Sequence, residues 1–131
     1  MILLDTHTWL WLGADPGRLS KTAANAIESA GRSGGIAVAS VSLLEVAWLG
    51  ARGRLRLHGP VDALLDQLVD GTAVVVKEIT PLIAALFVQL PDSLGRDPVD
   101  RLIVATARAD GMPLVTRDAR LRASPLVHTV W

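Results

Sequence analysis

At 131 residues, half of them hydrophobic and a fifth charged, the chain has the size and composition of one globular domain, which excludes a disordered or fibrous protein. It has no cysteine, which excludes a disulfide framework and a thiolate metal site, and its formal net charge of zero supplies no overall basic field for nucleic acid. Eleven of the thirteen cations are arginine, whose planar fork suits phosphate better than the point charge of lysine.

In chain order, "MILL" (1–4) is an apolar run that fits a buried strand, and it leads straight into Asp5, Thr6 and His7. No positively charged segment precedes it and Asp5 interrupts it, so it is not expected to be a targeting segment. A helix follows near Thr8, in which Trp9 and Trp11 are expected to serve core or interface packing rather than base stacking, and His7 is expected to be a loop residue beside the site of Asp5 rather than a catalyst. "SKTAANAIESAG" predicts a helix capped by Ser20 and stopped by Gly31, and "GRSGG" a turn before the strand "GIAVA" (35–39). "VSLLEVAWLGAR" places Leu43, Val46, Ala47 and Gly50 at helical spacing. The helices "PVDALLDQLVDG" and "PLIAALFVQL" each begin with a proline suited to the first helical position, with the strand "TAVVV" (72–76) between them. The window from Thr72 to Pro91 is strongly apolar, but Lys77, Glu78 and Pro81 exclude a membrane span, so a cytoplasmic protein is expected. "DPVDRLIVATARADG" has Asp97 as N-cap, Pro98 at the first position and Gly111 at the stop. "PLVT" (113–116) and "LVHTV" (126–130) complete five short strands. Strands alternating with helices predict a single α/β domain over residues 1–131, with a parallel sheet flanked by helices, because parallel strands require crossovers.

Ligands of such sheets sit beyond the carboxyl ends of the strands, and the acids fall there. Asp5 ends the first strand, and Asp118 follows "PLVT" after one residue, Arg117. Asp97 and Asp100, three apart, share the first turn of one helix, and Glu45 lies early in the helix after the second strand. Two carboxylates about 4 Å apart repel by roughly 4 kcal/mol at an effective dielectric near 20, so such a gathering needs protons, arginines or divalent cations. An all-oxygen set selects hard ions such as Mg²⁺ or Mn²⁺, which suit phosphodiester hydrolysis. Ligation of one or two ions requires the carboxylates to meet within about 5 Å of a common point.

Each acid also has a structural explanation. Asp5 could form an Asx turn or cap the helix behind it, and Ser42-x-x-Glu45 has the form of a capping box. Asp97 fits an N-cap better than a ligand, Asp100 could complement the helix dipole, and Asp118 could cap a short turn. None of these explains why all five acids fall at one predicted rim. The histidines are too scattered for a zinc triad, and neither a P-loop nor a dinucleotide fingerprint occurs.

Four segments, in order, resemble the PIN-domain ribonucleases, specifically VapC-type toxins of bacterial toxin–antitoxin pairs. "LLDTHTWLW" is similar to the first motif, with Asp5 as its acid; "SVSLLEVAWL" to the helix bearing a glutamate, here Glu45. "RDPVDRLIVATA" is similar to the D-P-F-D-R-L pattern, whose second aspartate is Asp100, and "LVTRDARL" to the final T-x-D motif, with Thr116 and Asp118. Val99 replaces a frequent phenylalanine and Gly95 a frequent histidine. The resemblance implies a Rossmann-like sheet of order 3-2-1-4-5 and Mg²⁺- or Mn²⁺-dependent endoribonuclease activity on RNA such as tRNA or rRNA. It also implies a homodimer and a VapB-like antitoxin.

On this basis Asp5, Glu45, Asp100 and Asp118 are the expected metal and catalytic residues. Thr6, Thr116 and Asp97 are expected to orient them. Arg52, Arg54, Arg56, Arg117 and Arg120 are candidate contacts to the RNA backbone. Two alternatives stand beside this one. One is a non-catalytic PIN-like binding module. The other is a haloacid-dehalogenase-type phosphatase, which needs a second acid two residues after Asp5, where His7 stands.

Overall fold

The computed structural model describes residues 1–55 and 58–131. The elements run β1 (Ile2–Leu4), α1 (Thr6–Ala14), α2 (Lys21–Ser33), β2 (Ile36–Ala39), α3 (Ser40–Ala51), α4 (Val61–Thr72), β3 (Val75–Lys77), α5 (Pro81–Gln89), α6 (Pro98–Asp110), β4 (Leu114–Val115), α7 (Ala119–Ala123) and β5 (Thr129–Val130). Single 3₁₀ turns occupy Pro16–Arg18 and Asp92–Leu94. The five strands form one all-parallel sheet of order β3-β2-β1-β4-β5. β1 is central and registers Leu4 with Val38 on one side and Val115 on the other, so the expected order is the observed one.

Alternation along these strands feeds two cores. Leu3, Ala37, Ala39 and Leu114 face α5, α6 and α7, where Ile83, Ile103, Val104 and Leu121 pack. Leu4, Val38 and Val115 face the other way, onto Trp9, Ile27, Val46 and Leu68. Each fully buried Leu or Val on the central strands stabilises the fold by roughly 1.5–3 kcal/mol. The helices between the strands cover both faces, as a parallel sheet requires. Among the described residues no helix is long and apolar enough to cross a membrane.

Capping chemistry explains most helix boundaries. Ser20 accepts the amide of Ala23, Thr80 that of Ile83 and Asp97 that of Val99, and Gly111 ends α6 at φ +63°. Three expectations are corrected. α2 passes through Gly31 to Ser33, because the turn belongs to Gly34 and Gly35; a Cβ on Gly34 would lie 2.5 Å from the Met1 nitrogen, and Gly35 has φ +92°. Pro60 is the N-cap of α4 and not its first helical residue, and α4 runs to Thr72 with Ala73 left-handed at φ 52°. Ser42 lies inside α3, whose N-cap is Ala39, so there is no capping box at Glu45. The Ser42 hydroxyl instead accepts that of Thr6 at 2.9 Å, tying α3 to α1.

Candidate active site

At the carboxyl end of the sheet, β1 delivers Asp5 and β4, through Thr116 and Arg117, delivers Asp118. α3 starts directly after β2 and carries Glu45 inward; α6 presents Asp100 from its first turn. All four acids line one cavity of about 420 Å³, together with Thr6, His7, Trp11, Arg18, Ile103 and Arg117.

Structural and site roles coincide in these acids. Asp5 caps α1, its Oδ1 accepting the Thr8 amide at 2.7 Å, while its Oδ2 accepts the hydroxyl of buried Thr116. Thr116 Oγ1 in turn accepts the Asp118 amide at 3.1 Å. Asp118 caps α7 with Oδ1 alone, taking the amides of Arg120 and Leu121. A carboxylate oxygen has two acceptor directions, so these bonds orient the groups without exhausting them.

Among the described residues, no three or more acidic or histidine side chains are drawn together tightly enough to hold an ion as they stand. The four acids converge on this shared cavity. Their charges act on half-buried Asp100. Burial, and then the charges of Asp97, Asp118, Glu45 and Asp5, push its carboxyl from an ordinary 3.8 up to about 6. Among the described residues no arginine forms an ion pair with these acids, although Arg18 and Arg117 line the same cavity. The ion pairs among the described residues are Glu28–Arg32 and Lys77–Asp110, both elsewhere. An all-oxygen donor set short of positive charge fits Mg²⁺ or Mn²⁺, since Mg²⁺ keeps several waters and takes only one or two carboxylates.

The other candidates separate. Thr116 touches both acids, whereas Thr6 lines the cavity but bonds to Ser42. Asp97 is outside the cavity lining and acts on Asp100 through its charge. Arg117 lines the cavity. The Arg120 guanidinium fills the space beside Gly95, 2.5 Å from where a Cβ would stand, and Gly95 has φ +101°. Glycine in place of the family's frequent histidine thus makes room for an arginine. Arg52 lies over Trp48, 5.7 Å from the ring centre, and neither it nor exposed Arg54 lines the cavity. Arg56 lies outside the described residues.

Sequence reasoning missed Trp11 and Arg18 as cavity residues, and His7 belongs to the first turn of α1 and not to a loop. Helical spacing held the signal: positions 7 and 11 are one turn apart, whereas Trp9 lies about 200° from Trp11. No local pattern marks Arg18. Arg101, in the D-P-V-D-R motif, has a structural task. Its guanidinium donates to the carbonyls of Phe87, Leu90, Pro91 and Gly95, holding the end of α5 against α6.

A parallel sheet of this order, with acids from β1, α3, α6 and β4 at its carboxyl rim, defines a class, and residues 2–125 match the PIN domain family. The chain belongs to the PIN-domain family. It is 46% identical over 132 residues to Ribonuclease VapC22 of Mycobacterium tuberculosis, an alignment covering 99% of this chain and 98% of that protein. Its fold is that of the VapBC2 complex of Rickettsia felis bound to a promoter DNA fragment, with TM-score 0.75 and 18% identity over 98% of this chain and 97% of that one. It is also that of DNA-bound VapBC from Salmonella typhimurium, with TM-score 0.70 and 17% identity over 98% and 97% of the two chains. The phosphatase alternative falls with the family assignment.

Proposed function

We propose that this protein is a Mg²⁺- or Mn²⁺-dependent endoribonuclease, the toxin of a VapBC-type toxin–antitoxin pair. The observation that carries the reading is the gathering of Asp5, Glu45, Asp100 and Asp118 around one cavity, with the Asp100 carboxyl pushed up to about 6 by burial and its neighbours. RNA as substrate rests on the 46% identity to a ribonuclease across nearly the whole chain. Asp5, Glu45, Asp100 and Asp118 hold the metal, directly or through its waters. Thr116 fixes the orientation of Asp5 and the position of Asp118. Arg117 meets the phosphate backbone at the cavity wall. A bound divalent ion there supplies a lower pKa for the attacking water and charge neutralisation at the phosphate.

The partner is a VapB-like antitoxin, in keeping with the VapBC complexes that share the fold. Ile79, Leu82 and Val88 are exposed apolar side chains, and a homodimer in the cytoplasm is the working assembly. Purified protein given single-stranded RNA cuts it with Mg²⁺ or Mn²⁺ and stops on addition of a chelator. Asp100→Asn abolishes the cutting; undiminished cutting by that variant sinks the assignment. The rival reading is a binding module without catalysis. That rival predicts no cutting with either ion and no divalent-ion binding.

A further inference from the structure

Trp9 and Trp11 stand two residues apart on α1 and do different things. Trp9 is fully buried, and its indole nitrogen donates to Thr72 Oγ1 at 2.9 Å, so packing accounts for it completely. Trp11 is only half-buried and turns to the acid cavity, whose wall it forms with His7 and Arg18. The His7 ring lies 6.0 Å from it at 35°, and the Arg18 guanidinium carbon lies 4.8 Å from its ring centre. Behind it, Trp131 packs at 5.7 Å and 57°, so the indole is held in place. Flat π faces beside a phosphodiester-cutting site are what a nucleobase stacks on, and a guanidinium plane serves the same purpose.

We propose that the His7–Trp11–Arg18 wall is a stacking subsite for the base of an unpaired nucleotide next to the phosphate that is cut. This rests on the ribonuclease reading above and names what that site selects. Arg18 and Arg117 are the cations among the described lining residues, and stacking adds to them an attraction that does not depend on charge. It also imposes a choice, because a base paired within an A-form duplex cannot offer its face to the wall, whereas one in a loop or single strand can.

The test uses the full-length protein in chelator at low salt, where turnover is absent, with an end-labelled unstructured 12-nucleotide RNA read by fluorescence anisotropy. Wild type binds this RNA more tightly than the same strand in a duplex, and Trp11→Leu weakens the single-strand affinity about 5- to 150-fold. Trp11→Phe, which keeps a ring, retains most of it. Removing every base from the strand costs wild type a similar factor and costs Trp11→Leu much less. Equal abasic penalties in both proteins, Trp11→Leu binding as wild type, or no binding by wild type overturn the subsite. Cutting of RNA by wild type in Mn²⁺, unchanged in Trp11→Leu, overturns the subsite and leaves the nuclease standing. Absence of cutting in Mg²⁺ and Mn²⁺, with the stacking signature intact in chelator, overturns the nuclease alone.

Discussion

Thr116 donates its hydroxyl to Oδ2 of Asp5 and accepts the amide of Asp118 at 3.1 Å, so one buried side chain at the end of β4 fixes two of the four site acids. β1 and β4 are paired neighbours, with Leu4 opposite Val115, and this is why Thr116 can donate to an acid 111 positions away. Thr116→Val leaves the Asp118 amide and Asp5 Oδ2 without this partner, at a cost of about 1–3 kcal/mol. It should also weaken Mn²⁺ binding about 10- to 100-fold, as loss of a group supporting metal ligands does. Thr116→Ser keeps the hydroxyl and should keep both properties. Urea denaturation and Mn²⁺ titration of the two variants check this.

Asp100 makes stability depend on pH. In the folded chain its carboxyl titrates at about 6 against an ordinary 3.8, so the folded state holds the proton more tightly than the unfolded one. The stability this proton gives is full below about pH 4 and is lost as pH rises through about 6. Two pKa units correspond to about 2.7 kcal/mol, and solvent screening at a half-buried carboxyl reduces this to about 1 kcal/mol. Metal-free Asp100→Asn should therefore exceed wild type in stability at pH 7.5 and lose the advantage at pH 3.5. Addition of Mg²⁺ should raise the melting temperature of wild type and leave that of the variant in place. Thermal melts at the two pH values, with and without Mg²⁺, decide it.

Arg101 and Arg117 separate a structural from a substrate role in one kind of side chain. Arg101 satisfies four carbonyls, at distances from 2.7 to 3.3 Å, and its removal as Arg101→Met should cost about 2–4 kcal/mol. Lysine cannot reproduce the fork, so Arg101→Lys should recover only part. Chemical denaturation measures both.

Arg117→Ala should leave the melting temperature unchanged and weaken RNA binding on all sequences alike. The slope of log affinity against log salt should fall by about one unit, as for one lost phosphate contact. Binding isotherms at four salt concentrations test it, and an unchanged slope removes Arg117 from the interface.

The fold was largely legible in the sequence because its signals are local. Five apolar runs gave five strands, and Ser20, Asp97, Pro98 and Gly111 marked helix ends by satisfying backbone groups at close range. The acids were legible because strand ends and helix starts in a parallel α/β sheet share one rim. What escaped depends on contacts distant in sequence. Ser42 looked like a cap for Glu45, but its partner is Thr6, 36 residues away. Trp11 looked like core beside Trp9, and its outward turn emerges only once α1 is seated with its other face on α4, where Trp9 meets Thr72. Arg120 looked only like a candidate RNA contact, yet its side chain also fills the space beside Gly95, and Arg101, which was not singled out, binds carbonyls. Charge in a sequence does not reveal whether a guanidinium will find backbone or solvent.

The measurement that tests the central claim most directly is equilibrium Mn²⁺ binding at pH 7.5. Electron paramagnetic resonance would follow it on wild type and on Asp5→Asn, Glu45→Gln, Asp100→Asn and Asp118→Asn. The acids around the cavity predict one or two ions per chain, at least one of them weakened about tenfold or more by each aspartate substitution, with loss of RNA cutting in step. Mn²⁺ binding that none of the four substitutions weakens, or no binding by wild type, would contradict the account.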